Sequence, residues 1–326
     1  MPAPFDAVLI VAFGGPQGPA DVRPFLANVL RGRRVSPERI DEVAHHYERF
    51  GGVSPLTALT MQQADALAAR LAARGLELPV FVGMRNWHPF LGDTLREMAA
   101  RGVRRAIGIL AAAQRSYSGC TQYRENVRDA RAELIAAGVR VPEVIYTGDW
   151  HEHPGFIAAN AEHVRRAYEQ LPPEHRAAAR LVFTAHSIPV PMAERYPYEA
   201  QLRSSASLIA AAVGRSDWAL VYQSRSGRPG DPWLEPDICD YLRRERAAGL
   251  AAAILCPVGF LCDHIEVLYD LDVEAADVCR DLGLVMRRAE AVNTHVAFID
   301  ALADAVADTW HKYERGVPLP LVTGAP

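Results

Sequence analysis

A chain of 326 residues with a net charge of −4 is long for one average domain and suits two lobes of about 150 residues or one large α/β unit. Half of the residues are hydrophobic and 23% are charged, the balance of a soluble globular protein without the basic excess that nucleic acid requires. The most apolar run, 250–262, is broken by Pro257 and Gly259, well short of the ~18 apolar residues of a membrane-spanning helix.

Taken in chain order, short apolar runs alternate with long amphipathic stretches. A strand at 7–13 is followed by a helix at 57–74, a strand at 79–83, a helix at 88–101, a strand at 106–111, a helix at 122–137 and a strand at 143–147. A helix at 162–170 precedes a second series: strand 181–185, helix 193–213, strand 219–223, helix 236–247, strand 251–256, helix 263–282, strand 284–288 and helix 294–312. Strands alternating with helices of this length imply βαβ crossovers and parallel sheets. "VLIVAFGGP" opens the first series and "RLVFTAHSIP" the second. Each is a strand running into a small-residue loop that ends in proline, which reads as a repeat. The expected fold is α/β, with two Rossmann-like lobes at 1–150 and 151–326. Each lobe has a four-stranded parallel sheet flanked by helices, and a cleft lies between the two. The helix at 294–312 is free to pack back on the first lobe.

Ligands in such folds bind beyond the carboxyl ends of strands, which directs attention to Phe13, Arg85, His186, Gln223 and the segment after Cys256. In "CPVGFLCDHIEVLYDLDVE" (256–274) Pro257 and Gly259 end the strand, and Asp263 is an acceptable N-cap. At ~100° per residue, Asp263, Glu266, Asp270 and Glu274 share an arc of about 80°, with no lysine or arginine on it. A solvated helix face gives the same pattern. Like charges four apart repel, however, and a divalent cation with hard oxygen ligands would relieve them. His186, at a strand end, is either a structural histidine or a catalytic one that pairs with Glu266 as acid and base.

Together these segments resemble the ferrochelatases, which insert Fe²⁺ into a porphyrin. The resemblance runs from about residue 6 to residue 310 through "VAFGGP" (11–16), "GGVSPL" (51–56), "GMRNWHPF" (83–90), "YSGCTQYRE" (117–125), "FTAHSIP" (183–189), "YQSRSGRPGDPWLEPD" (222–237) and "GFLCDHIEVLYDLD" (259–272). It implies two Rossmann-like lobes with a porphyrin cleft between them. It also implies His186 and Glu266 as the catalytic pair and first metal ligands, with Asp270 and Glu274 as outer metal positions for iron in transit or a secondary Mg²⁺. Porphyrin contacts implied are Phe13, where many relatives carry tyrosine, together with Trp87, His88 and Trp233 against the macrocycle. Arg31, Arg33, Ser54 and Tyr123 suit the propionates, since guanidinium and hydroxyl donors match carboxylates. Leu30 and His46 stand where Firmicute-type relatives carry arginines.

Beyond the porphyrin and Fe²⁺ as substrates, the resemblance implies no resident prosthetic group and transient partners among enzymes of haem synthesis. Cys120, Cys239, Cys256, Cys262 and Cys279 are scattered, with none after 279, so no iron–sulfur cluster is expected. Such thiols, and an N-terminus without a signal-peptide pattern, suit the cytoplasm. The stretch 30–50 carries Arg31, Arg33, Arg34, Glu38, Arg39 and Asp41. That rim is poorly suited to lipid and well suited to carboxylates, and the chain ends at "LPLVTGAP" without a docking extension. Coproporphyrin III is therefore the expected substrate, with protoporphyrin IX as the alternative. A non-catalytic tetrapyrrole or haem carrier would not need both His186 and Glu266. A sirohydrochlorin chelatase would be shorter, and no G-x-G-x-x-G follows the first strand to support a dinucleotide enzyme.

Overall fold

The computed structural model describes residues 4–32, 35–226 and 230–316. They fall into two compact units: Met1–Ala111 with Ser118–Trp150 and Ile299–Pro326, and Ala112–Tyr117 with His151–Phe298.

In the first unit β1 (Ala7–Ala12) is followed by α1 (Val22–Val29), α2 (Pro37–Glu48) and α3 (Pro55–Ala73). Then come β2 (Val80–Met84), α4 (Leu91–Ala100), β3 (Arg105–Leu110), α5 (Gln122–Ala136) and β4 (Glu143–Tyr146). The sheet is parallel throughout, in the order β2-β1-β3-β4. Every residue of β1 is buried, which is why its run is continuously apolar rather than alternating. Leu9, Val11, Leu95, Met98, Leu110 and Val127 form the core on one face. Burying side chains of this size contributes roughly 1.5–3 kcal/mol each.

The second unit repeats the plan. Helices α6 (Pro154–Glu169) and α7 (Pro173–Arg176) lead to β5 (Arg180–His186), α8 (Val190–Ala193), α9 (Tyr198–Ala212), β6 (Trp218–Gln223), α10 (Ile238–Ala247) and β7 (Ala252–Cys256). After β7 come α11 (Ile265–Tyr269), a π-helical segment (Asp270–Ala275), α12 (Ala276–Asp281), β8 (Val285–Arg288) and α13 (Val296–Glu314). The sheet order is β6-β5-β7-β8, the same as in the first unit. The strand order therefore reverses between β5 and β7, the switch point where α/β folds open a crevice.

All eight expected strands are present, and the differences lie in the helices. The expected helix at 162–170 starts earlier, at Pro154, where the His153 imidazole accepts the Gly155 N–H at 3.1 Å as a cap. The expected helix at 193–213 starts later, at Tyr198, with Pro197 occupying the N-cap of α9, and Ala193 instead closes the short α8. Helices α1 and α2 were not anticipated, although Ser36 caps α2 and Pro37 follows it as its first residue, a recognised start signal. From Ile299 onward α13 groups with the first unit, where Trp310 and Tyr313 pack on Phe5. Asp300 and Asp304 of α13 pair there with Arg70 and Arg74 of α3. No described helix is long and apolar enough to cross a membrane.

The largest correction falls on 263–282, which is not one α-helix. Asp263 neither caps it nor belongs to the acidic row. Its carboxylate accepts from Arg288 (2.7 Å), Asn293 Nδ2 (2.8 Å) and the Ala291 N–H (3.2 Å). Asp272 also pairs with Arg288, so these two carboxylates fix the segment to the end of β8. His264 takes the N-cap position instead. The i→i+5 bonding of the Asp270–Ala275 turn widens it beyond 3.6 residues, which brings residues four apart closer to a single line.

Candidate functional site

The second unit's switch point gathers the ionisable side chains that sequence singled out. His186 is the last residue of β5, and Glu266 lies in the first turn of α11, just beyond β7. Two devices bring them together. Gly259 donates its N–H to the Thr184 carbonyl at 3.1 Å, and a Cβ at this position would stand 2.6 Å from Ala185 Cβ. Only glycine lets the post-β7 loop lie this close to the end of β5. The Tyr198 hydroxyl donates to the His186 carbonyl at 3.1 Å, and burial pushes that phenol well above its usual range, so it stays a neutral donor.

His186 Nδ1 bonds the Ser187 carbonyl. An N–H donated there leaves Nε2 with its lone pair free in the neutral ring. Nε2 points at Glu266 Oε2, 3.9 Å away, and His264 Nε2 approaches the same oxygen to 3.4 Å. The first distance is too long for a hydrogen bond. The pair therefore presents a lone pair and a carboxylate side by side, with side chains 33% and 40% exposed. Burial pushes the Glu266 carboxyl up, but the His264 hydrogen bond and, when the rings are protonated, the charges of His186 and His264 outweigh it and hold the group down at about 2. With two-fifths of the side chain open to water, screening tempers that shift, and its direction follows from two imidazoles converging on one oxygen.

Asp270 behaves in the opposite way. Burial pushes it up to about 7, and the neighbouring charges of Glu266 and Glu274 add to the rise, against hydrogen bonds from Ser224 and Gln223. Ser224 Oγ and Gln223 Nε2 (3.2 Å) both donate to Asp270 Oδ2. Glu274 and Asp270 border a cavity of about 390 Å³ with Asp237, Cys239 and Arg243. Among the described residues no group of three or more His, Cys, Asp or Glu side chains stands ready to hold a metal ion. The four expected metal positions thus form an inner pair, His186 and Glu266, followed by an outer pair along the helix, Asp270 and Glu274.

The expected porphyrin contacts lie apart from this pair in the chain. Phe13, just past β1, is partly buried against Phe25, with the Arg85 guanidinium 6.0 Å from its ring centre. Trp87 packs on Phe25 and donates to Asp21 at 3.2 Å, and exposed His88 lies against Phe90. Ser54 and Tyr123 are buried, 3% and 6% exposed. The Ser54 hydroxyl accepts the Leu56 N–H as the N-cap of α3, and Tyr123 sits among the first unit's core residues. Arg31 is exposed and bonded to Asn28, Trp233 is partly buried beside Pro189, and Arg33 falls outside the described residues.

Sequence reasoning assigned no role to His264, Ser224 or Tyr198. His264 and Ser224 lay inside the quoted motifs. What drew no notice was their direction, since nothing in a strand-end loop's composition tells which side chain turns inward.

Known proteins resemble the chain over nearly its whole length. The family described as "Ferrochelatase" matches residues 5–309. A ferrochelatase of Rhodopirellula baltica is 47% identical over 310 residues, covering 95% of this chain and 87% of that one. A coproporphyrin III ferrochelatase of Streptomyces coelicolor is 46% identical over 321 residues, covering 94% and 86%, and one of Mycolicibacterium smegmatis is 43% identical over 334 residues, covering 99% and 97%. Among solved structures, SirB from Bacillus subtilis with Fe³⁺ superposes with a TM-score of 0.58 over 97% of this chain and all of that one. At 11% identity, that likeness concerns the fold alone.

Proposed function

The chain belongs to the ferrochelatase family, and from that premise we propose that it inserts Fe²⁺ into coproporphyrin III, forming iron coproporphyrin for haem synthesis. The observation that carries the reading is His186 Nε2 facing Glu266 at 3.9 Å at a strand-order switch point. Insertion removes two pyrrole protons while iron sheds its water. An imidazole whose Nδ1–H is engaged by a carbonyl offers Nε2 as the proton acceptor. A carboxylate that His264 holds below its usual range is the weaker base of the two and a good hard-oxygen ligand. We therefore assign proton removal to His186 and iron delivery to Glu266, with Asp270 and Glu274 feeding iron inward or holding a secondary cation such as Mg²⁺. Phe13, Trp87, His88 and Trp233 are assigned to the macrocycle. Arg31 and Arg33 are assigned to the propionates, with Ser54 and Tyr123 contributing only if their buried hydroxyls are uncovered.

The preference for coproporphyrin is supported by the charged stretch 30–50 and by actinobacterial relatives that carry that name. The Rhodopirellula relative, named only as a ferrochelatase, keeps protoporphyrin IX as a second reading. Cytoplasmic location, transient exchange with neighbouring enzymes of haem synthesis and the lack of an iron–sulfur cluster complete the proposal. Anaerobic Fe²⁺ insertion, followed by porphyrin absorbance with both porphyrins under one buffer, tests it. A higher kcat/KM for coproporphyrin III is the expected result, and a clear protoporphyrin preference overturns the substrate assignment.

A further inference from the structure

The end of β6 ties the two halves of the site to one point. Gln223 and His186 are register partners, and the Gln223 carbonyl accepts the Ser187 N–H at 2.8 Å. The Gln223 side chain, 1% exposed, sends Nε2 to the Glu266 carbonyl and to Asp270 Oδ2, each at 3.2 Å. Ser224 then donates its hydroxyl to the same Asp270 oxygen. It does so from φ +61°, the left-handed region that a non-glycine residue enters only when its surroundings hold it there. Strain of this kind, beside a π-turn at the carboxyl end of a central strand, is of the sort found at functional sites. Asp270 opens the π-segment, so whatever holds Asp270 also sets the helix that carries Glu266. Asp270, Gln223 and Ser224 all border the 390 Å³ cavity, so there is room beside the clasp for Asp270 to swing away.

We infer that Ser224 is a positioning residue for metal insertion: by clasping Asp270 to the end of β6, it keeps Glu266 turned toward His186 Nε2. The inference rests on the proposed iron-inserting role of that pair. The hydroxyl, rather than the turn, does the holding. Ser224→Gly removes the donor while relieving the backbone, Ser224→Ala removes the donor and keeps the strain, and Ser224→Asn restores a short donor in a side chain that tolerates the left-handed region.

Two readouts separate this inference from the function it rests on. Anaerobic Fe²⁺ insertion should show kcat about tenfold lower in both Ser224→Ala and Ser224→Gly, with the KM for porphyrin unchanged within about twofold and substantial recovery in Ser224→Asn. Amide hydrogen exchange of the substrate-free protein should speed up across residues 265–275 in Ala and Gly, by about tenfold, and not in Asn. If the wild-type protein inserts no iron, the proposed function falls, and the clasp is still judged by exchange. If Ser224→Gly keeps wild-type kcat, or the 265–275 amides exchange at the wild-type rate in Ala and Gly, the clasp is wrong.

Discussion

The two units share one strand order, β2-β1-β3-β4 and β6-β5-β7-β8, and differ in what stands at the matching strand ends. After β1 the loop passes through Phe13, Gly14 and Gly15 into an aromatic cluster of Phe25, Trp87 and Tyr47. Gly14 needs its φ of +84°, and Gly15 lies where a Cβ would meet Ser54 Cβ at 2.6 Å. After β5 the chain presents His186 toward Glu266, whose carboxylate His264 also approaches. The duplicated scaffold supplies position twice, whereas the ionisable groups gather at one copy. Chemistry here is a property of the strand-end loops, and the sheet decides only where those loops meet.

The sharpest break of that comparison is to remove the ring from each strand end. His186→Ala should lower turnover by roughly 10²–10⁴-fold, the range for losing a positioned acid–base group. Porphyrin affinity by fluorescence should stay within about threefold. Phe13→Leu should cost less than about tenfold in turnover. Comparable losses at both positions would mean that the two ends share the chemistry.

Next in size, Glu266→Gln should cost about 10²-fold in kcat. Asp270→Asn and Glu274→Gln should each cost under about tenfold and act mainly by raising the apparent KM for iron. Steady-state kinetics with iron as the varied substrate decides this, and equal effects at all three positions contradict an inner and an outer pair.

Much of this arrangement could be read from residues alone. The eight strands were legible because buried parallel strands leave continuous apolar runs between helical stretches, as in AVLIVA and AAILC. The break inside 263–282 was not, because α and π turns place apolar residues almost alike over so short a span. The true partner of Asp263 is Arg288, far along the chain, and local periodicity cannot report such a pairing. His186 and Glu266 came from strand-end logic and from resemblance together. The Gln223 and Ser224 bonds depend on a backbone angle that no motif displays.

Glycine offers a matched pair of smaller tests. Gly259→Ala and Gly15→Ala each drive a Cβ to 2.6 Å from a neighbouring Cβ, and each should destabilise by about 1–3 kcal/mol in denaturant unfolding. Only Gly259→Ala displaces the loop that leads to Glu266, so its kcat should fall several-fold more than that of Gly15→Ala. The reverse order would move the active centre to the first unit.

The smallest expected effect is on the pH dependence of stability. The folded state raises Asp270 from 3.8 to about 7. The stabilisation it contributes is therefore full below the unfolded value and is lost as pH rises through about 7. Thermal melts in the presence of a chelator should show wild-type Tm declining between pH 5 and 8 by a few degrees more than that of Asp270→Asn. Parallel curves would leave Asp270 ordinary.

The most direct test of the central claim is single-turnover insertion of Fe²⁺ into coproporphyrin III already bound to protein, measured for wild type, His186→Ala, Glu266→Gln and the double variant. If the imidazole and the carboxylate act as one unit, the double variant should be scarcely slower than His186→Ala alone, because removing the imidazole already disables the pair. Single-variant losses that multiply in the double variant, or a double variant that inserts iron at the wild-type rate, would contradict it.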